Sequence, residues 1–291
     1  MSRINEFILF LMKYKAKKDE KPTHTGMYVP LVGSWCLPTP EVHDQFWNLY
    51  TDIYKSFRHT RLGIGITEVQ QDTCPLLIDI DIKTDKKHGC TRVYDVKDIR
   101  TLVDIYLKVV KRYVRVENDE AHVFEKPAPR SKPEHIKDGF HVMFMGIILN
   151  KSIHKQIHLE VKQILSNNNV LHHLCGIQTI DALVDDAAAT NNWMIYGTVK
   201  KDDIHPYQCT YLLRNDVLES VSTIEYPRLF SIQNRVLSDL TSLSSTFDDE
   251  TDNVEIKGSK TSQLLNMLST TRCDDEPSWI RVGMCLHSEG N

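Results

Sequence analysis

One segment near the middle of the chain alternates strictly between apolar and polar positions. Residues 76–83 read LLIDIDIK, so that every second side chain is aliphatic. Successive side chains of a strand point to opposite faces, and the pattern therefore predicts a strand with one aliphatic face. Asp79 and Asp81 fall together on the other face, with Cα atoms about 6.5–7 Å apart. The isoleucine-rich face favours a central strand over an edge strand.

Other segments show the 3.6-residue period of amphipathic helices or further strand patterns. The clearest helix follows Asp95, which is positioned to cap it. Helices are predicted over residues 4–14, 40–59, 96–114 and 153–165, and residues 180–189 predict a helix or a tight loop. Strands are predicted over residues 62–69, 121–124, 140–149, 193–198 and 208–213. Strands and helices mix without a regular β-α-β alternation, which favours a mixed α+β fold over a doubly wound sheet.

The pattern changes towards the end of the chain. Residues 1–240 contain the predicted strands and long helices and are interpreted as one domain. Residues 241–256 are rich in Ser, Thr, Asp and Glu and are interpreted as an acidic linker. Residues 257–291 predict two short helices, which we expect to open a truncated helical domain. The abrupt end of the sequence suggests a piece of a longer protein.

Composition narrows the class of protein. A hydrophobic fraction of 41% and a charged fraction of 25% are ordinary for a soluble globular chain. The formal net charge of −4 argues against a uniformly basic nucleic-acid-binding protein but permits a local basic cleft. Seven cysteines without a Cys-x-x-Cys pair indicate reduced thiols in a cytosol-like compartment. Histidines and cysteines near residues 88–90 and 172–175 fit no standard zinc-finger spacing. No apolar run is long enough to predict a membrane span.

The paired carboxylates of Asp79 and Asp81 are the first candidate for chemistry. Two carboxylates on one strand face can converge on a hard cation or bridge two cations about 4 Å apart. Without a cation they would repel each other in a half-buried setting. The alternative is an exposed acidic strand without a metal.

Two further polar segments interrupt apolar patterns. One is KDGFH at residues 137–141, and the other runs from LVD at 183–185 to WMIYGTVK at 193–200. A third carboxylate from the second segment could complete a two-cation site. Histidine and lysine could hold phosphate oxygens through charge-assisted hydrogen bonds. The plain alternatives are a satisfied histidine at His141, a helix cap at Asp185 and a surface lysine at Lys200.

The order of these motifs resembles the archaeo-eukaryotic primase (AEP, primase–polymerase) superfamily. Within it, the sequence is most similar to the poxvirus-type primase–helicases of nucleocytoplasmic large DNA viruses. The similar motifs are THT at 23–25, EVQ at 68–70, DGFH at 138–141, YGTVK at 196–200 and WIRVGM at 279–284. One departure is the absence of the arginine that often precedes the Tyr-Gly pair, a contact that Arg214 could supply instead.

The resemblance implies an AEP fold, with an RRM-like mixed sheet carrying the catalytic acids. It implies that Asp79, Asp81 and Asp185 hold two divalent cations, Mg²⁺ or Mn²⁺, with Asp186 as the competing third ligand. The residues expected to bind the nucleotide are His141, Lys137, Lys200 and Tyr196. The residues expected to bind DNA are Lys126, Arg130, Lys132 and Arg214, although the basic loop could instead be a solvated turn.

The activity implied by the resemblance is template-directed primer synthesis. The enzyme would transfer nucleotides from NTP or dNTP to a 3′-hydroxyl on a single-stranded DNA template during viral DNA replication. We expect it at a cytoplasmic viral replication site, without a membrane partner and linked to a C-terminal helicase domain, for which hexamers are the usual assembly. The alternatives from the residues are a metal-dependent nuclease or other phosphoryl-transfer enzyme, and a non-catalytic DNA-binding module.

Overall fold

The computed structural model describes residues 3–28, 31–57, 64–200, 203, 205–215, 217–235 and 237–238. The predicted linker at 241–256 and the predicted helices at 257–291 lie outside the described residues. In the part that is described, no helix combines the length and apolarity that a membrane crossing requires.

Helices and strands alternate irregularly along the chain, as the sequence predicts. The helices are α1 Arg3–Lys13, α2 Pro40–Phe57, α3 Val96–Val110, α4 Lys151–Asn167 and α5 Ile180–Leu183. The strands are β1 His24–Tyr28, β2 Leu31–Trp35, β3 Ile66–Glu68, β4 Thr73–Thr84, β5 Ala121–Glu125, β6 Arg130–Ser131, β7 Ile136–Asn150, β8 Trp193–Met194, β9 Gln208–Arg214 and β10 Val217–Ser220.

Local sequence signals account for the helix starts. The Asp95 carboxylate accepts hydrogen bonds from the N–H groups of Lys97 and Asp98 at the start of α3. The Asp98 carboxylate in turn accepts a hydrogen bond from Asp95 N–H. This reciprocal capping box satisfies donors that a helix start leaves unpaired. The Asn150 side chain accepts from Ile153 N–H in the same way at α4.

Several predicted elements are shorter than expected. The helix predicted over 180–189 ends at Leu183, because Val184 is extended, and a separate 3₁₀ turn follows at Asp186–Ala189. The strand predicted over 193–198 ends at Met194, and the chain then turns through Gly197 at φ +89°. Positive φ favours glycine. Of the strand predicted over 62–69, residues 66–68 form β3, and residues 61–63 are not described.

The elements form two sheets. One has the strand order β2-β1-β3-β8, and the other has the order β10-β9-β5-β7-β4, with β6 paired to β7. The second sheet contains the succession β4-α3-β5-β7-α4-β9, a β-α-β-β-α-β arrangement consistent with the expected RRM-like sheet. Neighbouring strands are antiparallel, which corrects the expectation of a mixed sheet. The reason is that α3 returns the chain to β5, and β7 lies between the parallel strands β4 and β5.

Three apolar clusters hold these layers together. The largest packs α3 and α4 against one face of the second sheet and contains the aliphatic row of β4. A second packs α1 and α2 against the first sheet. A third covers the opposite face of the second sheet and includes Leu77, Phe124 and Met143. Asp79 and Asp81 share the face of Leu77, so this third cluster borders the acids.

The structure corrects the expectation that β4 is central. Of the strands that the structure describes, only β7 is its ladder partner, and β4 ends the sheet order. The aliphatic row indicates only that one face of β4 is buried against α3. It does not indicate how many strands flank β4. Residues 177–185 cover the outer edge instead, beginning with Ile177 N–H, which donates to the Lys83 carbonyl at 3.0 Å, and ending with a bridge between Val184 and Ile80.

Gly139 allows β7 to approach β4 closely beside the acids. It lies opposite Asp81 in the ladder and has φ +139°. A Cβ atom at this position would lie 1.9 Å from the carbonyl oxygen of Ile80. Any larger residue must therefore push the two strands apart.

Replacing Gly139 with alanine should destabilise the fold more than the same change at Gly33. Gly33 has a similar φ of +147°, but a Cβ atom there meets Trp35 only at an ordinary 3.8 Å. We expect Gly139→Ala to lower the free energy of unfolding by about 1–3 kcal/mol more than Gly33→Ala, the usual penalty of overpacking. Chemical denaturation measures both, and equal losses would show that the clash is relieved by strand movement.

A buried polar cluster joins the first sheet to the end of the described chain. His24 Nε2 lies 3.8 Å from Glu68 Oε1, and both side chains are buried. Glu68 also accepts hydrogen bonds from the Ser231 hydroxyl at 2.6 Å and Ile232 N–H at 2.8 Å. Burial raises the pKa of Glu68 to about 7, and burial together with His43 lowers the pKa of His24 to about 3. The THT and EVQ motifs thus contribute their His and Glu to the core rather than to the acidic cavity.

This cluster predicts a pH-dependent stability. The folded protein keeps the Glu68 proton until about pH 7, whereas the unfolded chain releases it near 4.5. The free energy of unfolding should therefore fall as pH rises from 4.5 to 7, by about 3 kcal/mol relative to Glu68→Gln. His24 acts oppositely and lies 3.8 Å from Glu68, so the comparison is repeated in a His24→Gln background, which removes its titration. Denaturation of both proteins across this range measures the effect, and parallel curves would contradict it.

Candidate nucleotide and metal site

Three acidic side chains reach the same cavity from two segments. Strand β4 presents Asp79 and Asp81 on one face, as the alternation predicts. Asp185 N–H donates to the Asp79 carbonyl at 2.9 Å, directly after the Val184–Ile80 bridge. Asp79, Asp81 and Asp185 all line a cavity of about 350 Å³. The covered edge of β4 therefore brings in the third acid.

The motif on β7 lies opposite the acids in register. His141 pairs with Asp79 in the ladder, and its Nε2 lies 3.3 Å from Asp79 Oδ1. Lys137 lies on the same face, and its Nζ lies 2.8 Å from Asp81 Oδ2. Asp138 also lines the cavity, but it forms an ion pair with Arg92 at 3.5 Å. Lys137 and His141 are therefore the residues of the motif that contact the acids.

The acids differ in their electrostatic surroundings. Burial alone would raise the pKa of Asp79, but His141, Lys137 and Lys200 together lower it below its ordinary value. The pKa of Asp185 is raised, mainly by burial and further by the charges of Asp79 and Asp81, although Ala187 N–H lowers it. The site thus favours the charged form of Asp79 and disfavours that of Asp185.

The donor set fits a hard divalent cation. Asp79 Oδ1 is buried and has no well-formed hydrogen bond within the described part of the chain. Carboxylate oxygens are the ligands that Mg²⁺ and Mn²⁺ prefer. No three His, Cys, Asp or Glu side chains of the described residues are already gathered as a compact metal cluster. Because the Lys137 ammonium is the present partner of Asp81, a cation bound at Asp81 would take its place.

The predicted basic residues enter this cavity rather than forming an outer rim. Lys126, Arg130, Lys132 and Lys200 line it together with Lys137. Asp203, which the sequence analysis missed, contacts both Lys126 and Arg130. A carboxylate in a polar stretch, directly after a second aspartate at 202, carries no sequence signal that would have singled it out. The cavity is consequently a basic pocket with an acidic end.

Aromatic rings form a second wall. The Tyr207 ring stacks on His141 with centroids 3.7 Å apart, and Trp193 lies 4.9 Å away. An adjoining cavity of about 170 Å³ shares Asp79, His141 and Tyr207 and is lined by further aromatic side chains. Tyr207 was also missed, because a tyrosine before a predicted strand resembles an ordinary core position.

Two predicted site residues are placed differently from the others. The Tyr196 hydroxyl accepts Cys209 N–H at 3.2 Å, and its ring packs against Phe230 at 5.1 Å, so only part of it faces the smaller cavity. Arg214 lies at the far end of β9 and pairs with Glu120 at 2.6 Å. Arg214 therefore does not stand in for the missing arginine within the cavity.

The competing acid, Asp186, lies outside this cavity. It is half exposed and pairs with Lys162 of α4 at 3.3 Å. Asp185 instead lines the cavity. The geometry favours Asp185 as the third acid, the choice made from the sequence.

Comparisons with known proteins show which family and which proteins this chain is similar to. The family model described as the C962R protein N-terminal AEP domain matches residues 23–213. "Putative helicase L207/L206" of Acanthamoeba polyphaga mimivirus is 26% identical over 219 residues, covering 72% of this chain and 22% of that protein. "Putative helicase 121R" of Invertebrate iridescent virus 3 is 24% identical over 302 residues, covering 84% and 32%. "Putative helicase 184R" of Invertebrate iridescent virus 6 is 23% identical over 320 residues, covering 89% and 32%.

The chain spans about a fifth to a third of the length of these viral relatives. The matched segment includes every residue of the cavity named above. Membership indicates an enzyme of the nucleotidyltransferase type in general. Since the family model matches well over half of the chain, this protein belongs to the family of N-terminal AEP domains of viral primase–helicases.

Proposed function

We propose that this domain is a template-directed primase or primase–polymerase that acts by two-metal catalysis. The observation that carries the proposal is the convergence of Asp79, Asp81 and Asp185 with His141 and Lys137 on one cavity. Carboxylates at one end suit divalent cations, and cations at the other end suit a triphosphate.

Asp79, Asp81 and Asp185 would hold the two cations. When bound, Mg²⁺ or Mn²⁺ would lower the pKa of the primer 3′-hydroxyl and stabilise charge on the α-phosphate. The protein itself orients the ligands: the β4–β7 ladder fixes Asp79 and Asp81, and a backbone hydrogen bond fixes Asp185. Relief of repulsion among the acids would favour cation binding.

His141 and Lys137 would bind the triphosphate of the incoming NTP or dNTP. Their present partners are Asp79 and Asp81, so cation binding at the acids would release both for phosphate oxygens. Lys200 lies at the junction of both cavities and would contact phosphate or template. Single-stranded DNA is the proposed template. A helicase region in the full-length protein is proposed from the names of the relatives.

The acids should be required for primer synthesis. We expect Asp79→Asn and Asp185→Asn to reduce nucleotide incorporation on single-stranded DNA with Mn²⁺ by more than about a hundredfold. Loss of the outer partners of metal ligands alone costs about 10–100-fold. Labelled-nucleotide incorporation measures the effect.

Asp186→Asn is the matched control for Asp185→Asn. It removes a neighbouring carboxylate that pairs with Lys162 and does not line the cavity. We expect its activity to stay within about threefold of the wild type, in the range of ordinary surface substitutions. Full synthesis by Asp79→Asn, or equal losses in Asp185→Asn and Asp186→Asn, would contradict the assignment.

His141 separates the proposed polymerase from a metal-dependent nuclease. In a polymerase, His141→Gln should raise the KM for the nucleotide about tenfold, because one charge-assisted phosphate contact is lost. In a nuclease, the wild type would degrade DNA with metal alone, and nucleotide would have no effect. Steady-state incorporation and DNA degradation are measured side by side. His173→Gln, an exposed histidine paired with Asp98 at 3.1 Å, is the control.

A further inference from the structure

Asp203 is an acid of the cavity that contacts two of its basic side chains. Its side chain is about 8% exposed, and its Oδ2 lies 2.6 Å from Lys126 Nζ. Its other oxygen pairs with the Arg130 guanidinium. A single carboxylate therefore joins two cations that come from the loop after β5 and from β6.

Lys126 is held from two sides. The Asp203 carboxylate binds its ammonium group, and the Tyr207 ring lies beneath it with Nζ 4.8 Å from the centroid. The same Tyr207 ring stacks on His141. Lysine side chains are flexible, and such a clamp fixes one position for the charge.

The cations need such a partner because they share a small space. Lys126, Arg130, Lys137 and Lys200 surround one cavity of about 350 Å³. Burial, together with the charges of Arg130, Lys200 and Lys137, lowers the pKa of Lys126 to about 8, although Asp81 acts in the opposite direction. Without a local anion, these side chains would move apart into solvent.

We infer that Asp203 is a positioning residue that aligns Lys126 and Arg130 to bind the triphosphate of the incoming nucleotide. The inference rests on the proposed function and deepens it. It assigns these two cations to a nucleoside 5′-triphosphate, whereas the sequence analysis assigned them to the DNA backbone. Asp203 does not contact the substrate itself but acts through the two side chains that it holds.

Three different roles of Asp203 predict different results. If Asp203 only stabilised the fold, its loss would lower the melting temperature without changing nucleotide affinity. If it blocked the cations, its loss would tighten nucleotide binding. A positioning role predicts a higher KM for the nucleotide with little change in kcat.

The experiment compares wild-type protein with Asp203→Asn as full chains in the primer-synthesis assay. We expect the KM for the nucleotide to rise about tenfold in Asp203→Asn, because two charge-assisted contacts become misaligned. We expect kcat to stay within about twofold, since the acids are untouched. Asp203→Glu keeps the charge and should recover most of the affinity. Asp44→Asn, which removes an exposed carboxylate paired with Arg228 at 2.6 Å, should leave KM unchanged.

Coupling provides the second measurement. If Asp203 acts through Lys126 and Arg130, Asp203→Asn should raise the KM less in a Lys126→Gln background than in the wild type, because only the Arg130 contact is left to misalign. Should Asp203→Asn fail to fold, Lys126→Gln carries the test, and an unchanged KM in that variant overturns the inference. An unchanged or lower KM in folded Asp203→Asn also overturns it while the proposed function stands. Absence of synthesis by the wild type would overturn both.

Discussion

The candidate site depends on how the outer edge of β4 is covered. An edge strand presents unpaired N–H and C=O groups, and proteins cover such edges with other segments. Here every second residue of the strand finds a backbone or side-chain partner. The pairs are Leu77 with His154, Asp79 with Asp185, Asp81 with Gln178 and Lys83 with Ile177. The backbone hydrogen bond that covers Asp79 also holds Asp185 beside it. The segment that covers the edge of β4 therefore also brings the three acids together.

The second constraint is the balance of charge within the cavity. In the ligand-free protein each acid facing the cations has a basic neighbour: Asp79 has His141, Asp81 has Lys137, and Asp203 has Lys126 and Arg130. Asp185 lacks such a cation nearby in the contacts described above, and its pKa is raised. A divalent cation and a triphosphate carry the same opposed charges as these internal pairs. If the cation and the triphosphate bind together, the charged side chains exchange one partner for another and no buried charge is left uncompensated. If only one of them binds, some buried charge loses its partner.

The sequence predicted where the helices and strands lie better than which strands lie side by side. The period of two residues identified β4 and its acidic face, and the capping residue Asp95 identified the start of α3. Strand order depends on contacts between distant segments, so the aliphatic row of β4 was wrongly interpreted as a sign of a central strand. The acids and His141 followed from motifs, but Asp203 and Tyr207 have no motif, because only the folded loop brings them against Lys126 and His141. Tyr196 was expected in the site from its motif, and Arg214 was expected to replace a missing arginine. Tyr196 faces the cavity only in part, and Arg214 lies away from it.

Register explains why the two clearest motifs share a two-residue spacing. In the antiparallel ladder Asp79 lies opposite His141, and Asp81 lies opposite Gly139. The Asp-x-Asp and Gly-x-His motifs are therefore two sides of one pair of ladder rungs. A slip of one residue would turn both acids into the aliphatic core beneath α3 and would bring isoleucines into the cavity. Gly139 permits the close approach at one rung, and His141 supplies the counter-charge at the other. The spacing of residues in each motif thus follows from the geometry of the sheet, and the chemistry of the site follows from which residues occupy those rungs.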